Sequence, residues 1–136
     1  MEENPVIVCA RNGTQASALL ARVHKLVMRT GRPVILFGVH SICTGEDPAL
    51  YVREMECAAR DYQARLHLLF DVHPAEAAAA LDRYHAVQII TGIPQSPNGD
   101  FVRQIHTYCP SLPILAIDER PTRVCSIRRI PCYGWA

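Results

Sequence analysis

The chain has 136 residues, 14 Lys plus Arg against 13 Asp plus Glu, a formal charge of +1 and six cysteines. This length suits one domain with a single core. The near-neutral charge gives no broad field for a nucleic-acid duplex or an anionic membrane, and no apolar run approaches the roughly 20 residues of a membrane-crossing helix. A soluble domain that engages neither nucleic acid nor membrane is expected.

The opening Met1-Glu2-Glu3-Asn4-Pro5 is acidic and lacks the positive start and apolar stretch of a signal peptide, so a cytoplasmic location is expected. In that reducing compartment Cys9, Cys43, Cys57, Cys109, Cys125 and Cys132 read as free thiols. Cys9 and Cys57 are expected to be small buried hydrophobes.

Val6 to Ala10 is a buried-strand run. Gln15 to Thr30 then places Leu19, Leu20, Val23, Leu26 and Val27 on one helical face, and Gly31 stops it. Val34 to Val39 is a second strand. The polar loop His40 to Glu46 follows, and Asp47-Pro48 supplies an N-cap with proline at the first position of a helix that runs to about Ala64. Leu66 to Phe70 is a third strand, and Asp71 to Glu76 opens an alanine-rich helix that ends near Tyr84 or His85. Val87 to Thr91 is a fourth strand, Gly92 to Gly99 a loop, Asp100 to Tyr108 a short helix carrying Phe101, Val102 and Ile105 inward, and Pro113 to Ile117 a fifth strand. From Glu119 onward four arginines face one glutamate, a net +3, and Val124 to Ile127 has the makings of a short extra strand.

Five apolar strands alternating with four helices predict a three-layer α/β/α domain around a parallel sheet. Ligands of such sheets bind beyond the carboxyl ends of the strands, where the winding reverses. The lone lysine, Lys25, falls in mid-helix, so a P-loop lysine is missing.

Four segments resemble the universal stress protein family over roughly residues 5 to 118. Val6-Ile7-Val8-Cys9-Ala10-Arg11-Asn12-Gly13-Thr14 is similar to the family's opening strand and Asp-Gly-Ser, with Asn12 at the aspartate position. His73-Pro74-Ala75-Glu76-Ala77 resembles its Asp-Pro-Ala-Glu-x helix start, Ile89-Ile90-Thr91-Gly92 its fourth strand end, and Ser111 to Ile117 its closing strand. The resemblance implies a five-stranded parallel sheet in the order 3-2-1-4-5, frequent homodimers, and in one subclass ATP or AMP at the switch point between strands one and four; no set of residues in the sequence supports a reaction, so no enzyme activity is expected. It divides the chain into a domain over 1–118 and an Arg-rich tail over 119–136, an extra strand or dimer arm that is also a candidate surface for a protein partner.

In the nucleotide-binding subclass the loop after strand four carries Gly-x-x-Gly and a later Gly-Ser or Gly-Thr, whose amides and hydroxyl hold phosphates. Here it reads Gly92-Ile93-Pro94-Gln95-Ser96-Pro97-Asn98-Gly99: Gln95 replaces the second glycine and two prolines each remove a donor. The short loop also resembles the variant found in potassium-sensing histidine kinases, some members of which bind a cyclic dinucleotide. The candidate ligands are thus AMP, ATP or a cyclic dinucleotide, held by Arg11, Asn12, Gly13, Thr14, Gly92, Ser96, Asn98 and Gly99, with Val39 against the base. The alternative is a dimeric interaction or regulatory protein of the stress response that binds no nucleotide. In that case Thr14 or Asn12 merely caps the first helix, and Arg11 faces solvent.

Other chemistries are expected to be absent. His40-Ser41-Ile42-Cys43 and His106-Thr107-Tyr108-Cys109 share a His-x-x-Cys spacing, but the second pair ends a helix that starts at the strand ends and runs away from them, so the pairs do not pool. Asp71 stands where a receiver domain keeps its phosphoacceptor, without the acidic pair after strand one that would hold Mg²⁺.

Overall fold

In a computed structural model, which describes residues 4–41, 47–92, 101–117 and 127–129, the β-branched runs and amphipathic stretches form β1 (Val6–Cys9), α1 (Gly13–Met28), β2 (Val34–His40), α2 (Pro48–Asp61), β3 (Arg65–Phe70), α3 (Pro74–Arg83), β4 (Gln88–Gly92), α4 (Phe101–Tyr108), β5 (Ile114–Ile117) and β6 (Ile127–Arg129). The sheet order is β3-β2-β1-β4-β5-β6. The first five strands are parallel, in the anticipated order 3-2-1-4-5, and β6 lies antiparallel on β5. Of the segment expected to add a strand, Ile127 lies in β6 and residues 124–126 fall outside the described residues. β6 pairs with the sheet of its own chain.

Period-two alternation along each strand splits the core into two layers. Val6, Val8, Ala10 and Leu36 pack with Leu19, Leu20 and Val23 of α1 and with Tyr51, Met55 and Ala58 of α2. Ile7, Cys9, Ile35, Phe37 and Ile89 pack on the other face with Ala77, Ala78 and Leu81 of α3 and with Val102 and Ile105 of α4. The small alanines of α3 let that helix settle close to the sheet.

Caps explain the boundaries. α1 begins two residues before Gln15 because the Asn12 side chain accepts the Gln15 amide, and α2 starts at Pro48 because Asp47 accepts from Ala49. α2 stops at Asp61, short of Ala64: Gln63 turns left-handed at φ 57°, and the Ala64 N–H folds back to the Ala59 carbonyl at 2.8 Å. Cys57 is exposed, correcting the expectation that it packs inside. It lies off the buried stripe of Tyr51, Met55, Ala58 and Ala59.

α3 is capped by a histidine, whose Nδ1 accepts the Ala75 N–H at 3.1 Å while its ring meets Tyr108 edge-on with centroids 6.0 Å apart. His73→Ala is expected to cost about 1 kcal/mol in urea unfolding, and His73→Asp, a stronger cap beside the positive helix end, to match or exceed the parent. No helix among the described residues is long and apolar enough to cross a membrane.

Candidate functional site

The winding of the sheet reverses between β1 and β4. α1, which follows β1, packs on one face and α4, which follows β4, on the other, so the ends of these two strands are the switch point beyond which sheets of this kind take ligands. Cys9 is in register with Thr91, and the buried Thr91 hydroxyl donates to the Cys9 carbonyl at 3.3 Å, tying the two strands where they end. Gly92 closes β4 in a buried position beside Ile117.

Beyond β1 the chain makes a tight polar turn. Asn12 Oδ1 accepts the Gln15 N–H at 2.8 Å, and Gln15, only 5% exposed, returns its own Oε1 to the Arg11 N–H at 2.7 Å. This reciprocal pair is a capping box displaced by one residue. The Asn12 oxygen is therefore committed to the helix, as the capping alternative expected, while Arg11 and Thr14 are exposed at the turn. The first-turn N–H groups of Gly13 and Thr14 have no acceptor within a helix, whatever its sequence, and they carry the positive end of the α1 dipole. The structure thus brings Arg11, Asn12, Gly13, Thr14 and Gly92 to one end of the sheet. Val39 is half-buried against the α3 and α4 layer, and Ser96, Asn98 and Gly99 lie outside the described residues.

Gln15 was missed by the sequence reading, although Asn-x-x-Gln before an apolar run is its signal. A cluster at the neighbouring strand ends carried no such signal. His40 and Phe70 are cross-strand partners at the ends of β2 and β3, and Tyr51 of α2 packs beneath them. Ring centroids are 5.0 Å apart for His40 and Tyr51, 5.7 Å for His40 and Phe70, and 6.4 Å for Tyr51 and Phe70.

Elsewhere the polar groups read as structural. His67 Nδ1 lies 2.5 Å from the Tyr84 hydroxyl, and desolvation, then the nearby Arg83 charge, lowers the histidine pKa below its ordinary 6.5. Between the ordinary value and the lowered one the unfolded chain binds the proton more readily, so stability falls as pH drops through about 6.5. His67→Gln is expected to flatten that part of the loss when urea midpoints at about pH 7.5 and about pH 5 are compared. Cys109 directs its thiol to the Ala78 carbonyl at 3.7 Å, and burial, then the Asp82 charge, raises its pKa, which disfavours the nucleophilic thiolate. No group of three or more metal-ligating side chains gathers among the described residues, and Cys43 lies outside them. A separate groove of about 550 Å³ runs between α3 and the segment after α4, lined by Ala78, Asp82, His85, Cys109 and Pro113 among others.

Solved structures share this arrangement. A universal stress protein from Archaeoglobus fulgidus superposes with a TM-score of 0.59 at 20% identity, over 81% of this chain and 95% of that one. The chain adopts the universal stress protein fold. A structure of the universal stress protein from Archaeoglobus fulgidus in complex with dAMP superposes with a TM-score of 0.57 at 21% identity, over 84% of this chain and 97% of that one. No protein-family model matches the sequence, and no curated protein does. The universal stress fold accounts for β1 to β5 and the four helices between them.

Proposed function

We propose that the chain is a universal-stress-type ligand-binding module that takes an adenine nucleotide in the crevice between β1 and β4. The observation that carries this reading is the turn at Arg11 to Thr14: an arginine, a threonine and the first N–H groups of α1 belong to one exposed turn at the switch point, residue types suited to an anion. The dAMP held by a protein of this fold supports the adenine class. AMP and a cyclic dinucleotide fit the proline-containing loop after β4 better than a triphosphate does, because Pro94 and Pro97 each withdraw an amide donor. In this reading the protein signals by binding, without catalysis, in the cytoplasm, as a member of the stress-protein family, and it pairs as a homodimer.

Titration of AMP, ATP and a cyclic dinucleotide against thermal unfolding tests it. A ligand at 100 times its dissociation constant adds about 2.7 kcal/mol, and Arg11→Ala is expected to weaken binding. Equal affinity of the parent and Arg11→Ala removes that side chain from the site. The same two prolines favour a second reading, an interaction protein that takes no nucleotide and meets its partner through the Arg-rich tail. Absence of stabilisation by every nucleotide tested selects it.

A further inference from the structure

We infer that two copies of the chain join edge to edge at β3, strand antiparallel to strand, about a twofold axis at Leu68. The inference rests on the homodimer of the reading above and names its interface. β3 is an end strand of the sheet, paired with β2 alone. Leu66, Leu68, Leu69 and Phe70 are large and apolar, yet no residue of β3 is buried, whereas all four residues of β1 are. Phe70 is 42% exposed. An end strand of this kind is a template for a further strand unless charge, proline or a bulge blunts it. Leu66 to Phe70 holds no Lys, Arg, Asp, Glu or Pro, and its register with β2 is unbroken. The other end strand is blunted, since β6 spans three residues of which two are arginines.

The backbone shows which groups stay open. In a parallel pair, successive residues turn their N–H and C=O groups alternately toward the neighbouring strand and away from it. The Asp71 N–H donates to the His40 carbonyl of β2 at 2.8 Å. His67 and Leu69 therefore face β2 as well, and Leu66, Leu68 and Phe70 turn their groups to the open edge, where no strand follows among the described residues. Two such strands, antiparallel about Leu68, set Leu66 against Phe70, Leu68 against Leu68 and Phe70 against Leu66. These are hydrogen-bonded pairs with Cα atoms about 5.5 Å apart, each exchanging both bonds, so every open N–H of the edge is satisfied. A slip of two residues loses one of the pairs, because left-handed turns at Gln63 (φ 57°) and Asp71 (φ 52°) bound the strand.

Side chains agree with this register. Leu66 and Leu68 lie half-buried at the margin of the α1 and α2 layer, and Phe70, on the same face, comes to rest beside Leu66 of the second copy. Opposite charges meet at the ends: Arg65 comes level with Asp71 of the second copy, an attraction that holds while each keeps its contacts within its own chain. Only a copy of the same strand matches itself in this way, and the twofold pair closes on itself.

Residue-resolved amide exchange of the full chain at low and high protein concentration, with the mass read by light scattering, tests this. The parent is expected to be a dimer at high concentration and there to protect Leu66, Leu68 and Phe70, which exchange fast on dilution, while His67 and Leu69 stay protected throughout. Phe70→Ala removes two cross-strand pairs per dimer and is expected to weaken association about 2- to 30-fold. A dimer in which those three amides exchange as fast as in the monomer overturns the inference, as does a folded Phe70→Ala that associates like the parent. Exchange in the parent decides the matter if that variant fails to fold. A parent that stays monomeric at every concentration removes the homodimer reading itself, and the inference with it.

Discussion

Gly13→Ala is expected to destabilise the fold by about 1–3 kcal/mol, the reverse of the gain of up to about 1 kcal/mol that alanine normally brings to a helix. A Cβ at this position would sit 2.5 Å from Glu54 Cβ and 3.1 Å and 3.2 Å from the Glu54 carbonyl carbon and oxygen. The obstacle includes backbone of α2, which has no rotamer to change, so α1 must lift away from its neighbour. That shift begins in the turn where Asn12 and Gln15 exchange hydrogen bonds. One methyl group thus affects stability and site together: urea unfolding reads the first, and AMP affinity, expected to fall with it, reads the second. An unchanged or raised urea midpoint would show that α1 and α2 do not meet this closely.

Gly38→Ala is expected to be comparably costly, about 1–3 kcal/mol, although glycine within a strand usually weakens it. The added Cβ would collide with the Tyr51 hydroxyl and lie 2.7 Å from Met55 Cε and 3.0 Å from Leu68 Cδ2. Glycine at the middle of β2 is the notch that lets Tyr51 lie on the sheet. Methionine and leucine tips have other rotamers to adopt, whereas the fully buried phenol ring has few. Tyr51→Phe is therefore expected to recover part of the loss, with a coupling of about 0.5–3 kcal/mol in a double-mutant cycle. Strict additivity of the two substitutions would place the conflict elsewhere.

The layered fold was legible because every strand is a short apolar run and every crossover a helix with one apolar stripe. Val6 to Ala10 and Val34 to Val39 are too apolar for a half-solvated strand, and that is the mark of a parallel sheet covered on both faces. The turn at Arg11 to Thr14 was legible for the same reason, since it joins a strand to a helix at the switch point. What escaped depends on register between distant segments. Nothing local to Gly38 says that Tyr51 will lie over it, and nothing local to Phe70 says that it will end level with His40. Gln15 escaped although its signal is local, because a cap at Asn12 needs only the Gln15 backbone N–H and leaves the course of the Gln15 side chain open. The misplaced Cys57 shows how cysteine's average preference for burial yields to its place around a helix. β6 overlaps the expected extra strand at Ile127 alone, a segment of weak period whose pairing is set by the β5 edge it meets.

An amide-resolved NMR titration with AMP tests the central claim most directly. Binding at the switch point predicts that the shifts concentrate at Arg11 to Thr14 and at Gly92, with residues lining the groove at Ala78 and Cys109 unmoved. A spectrum that does not respond, or one whose changes centre on that groove, would contradict it.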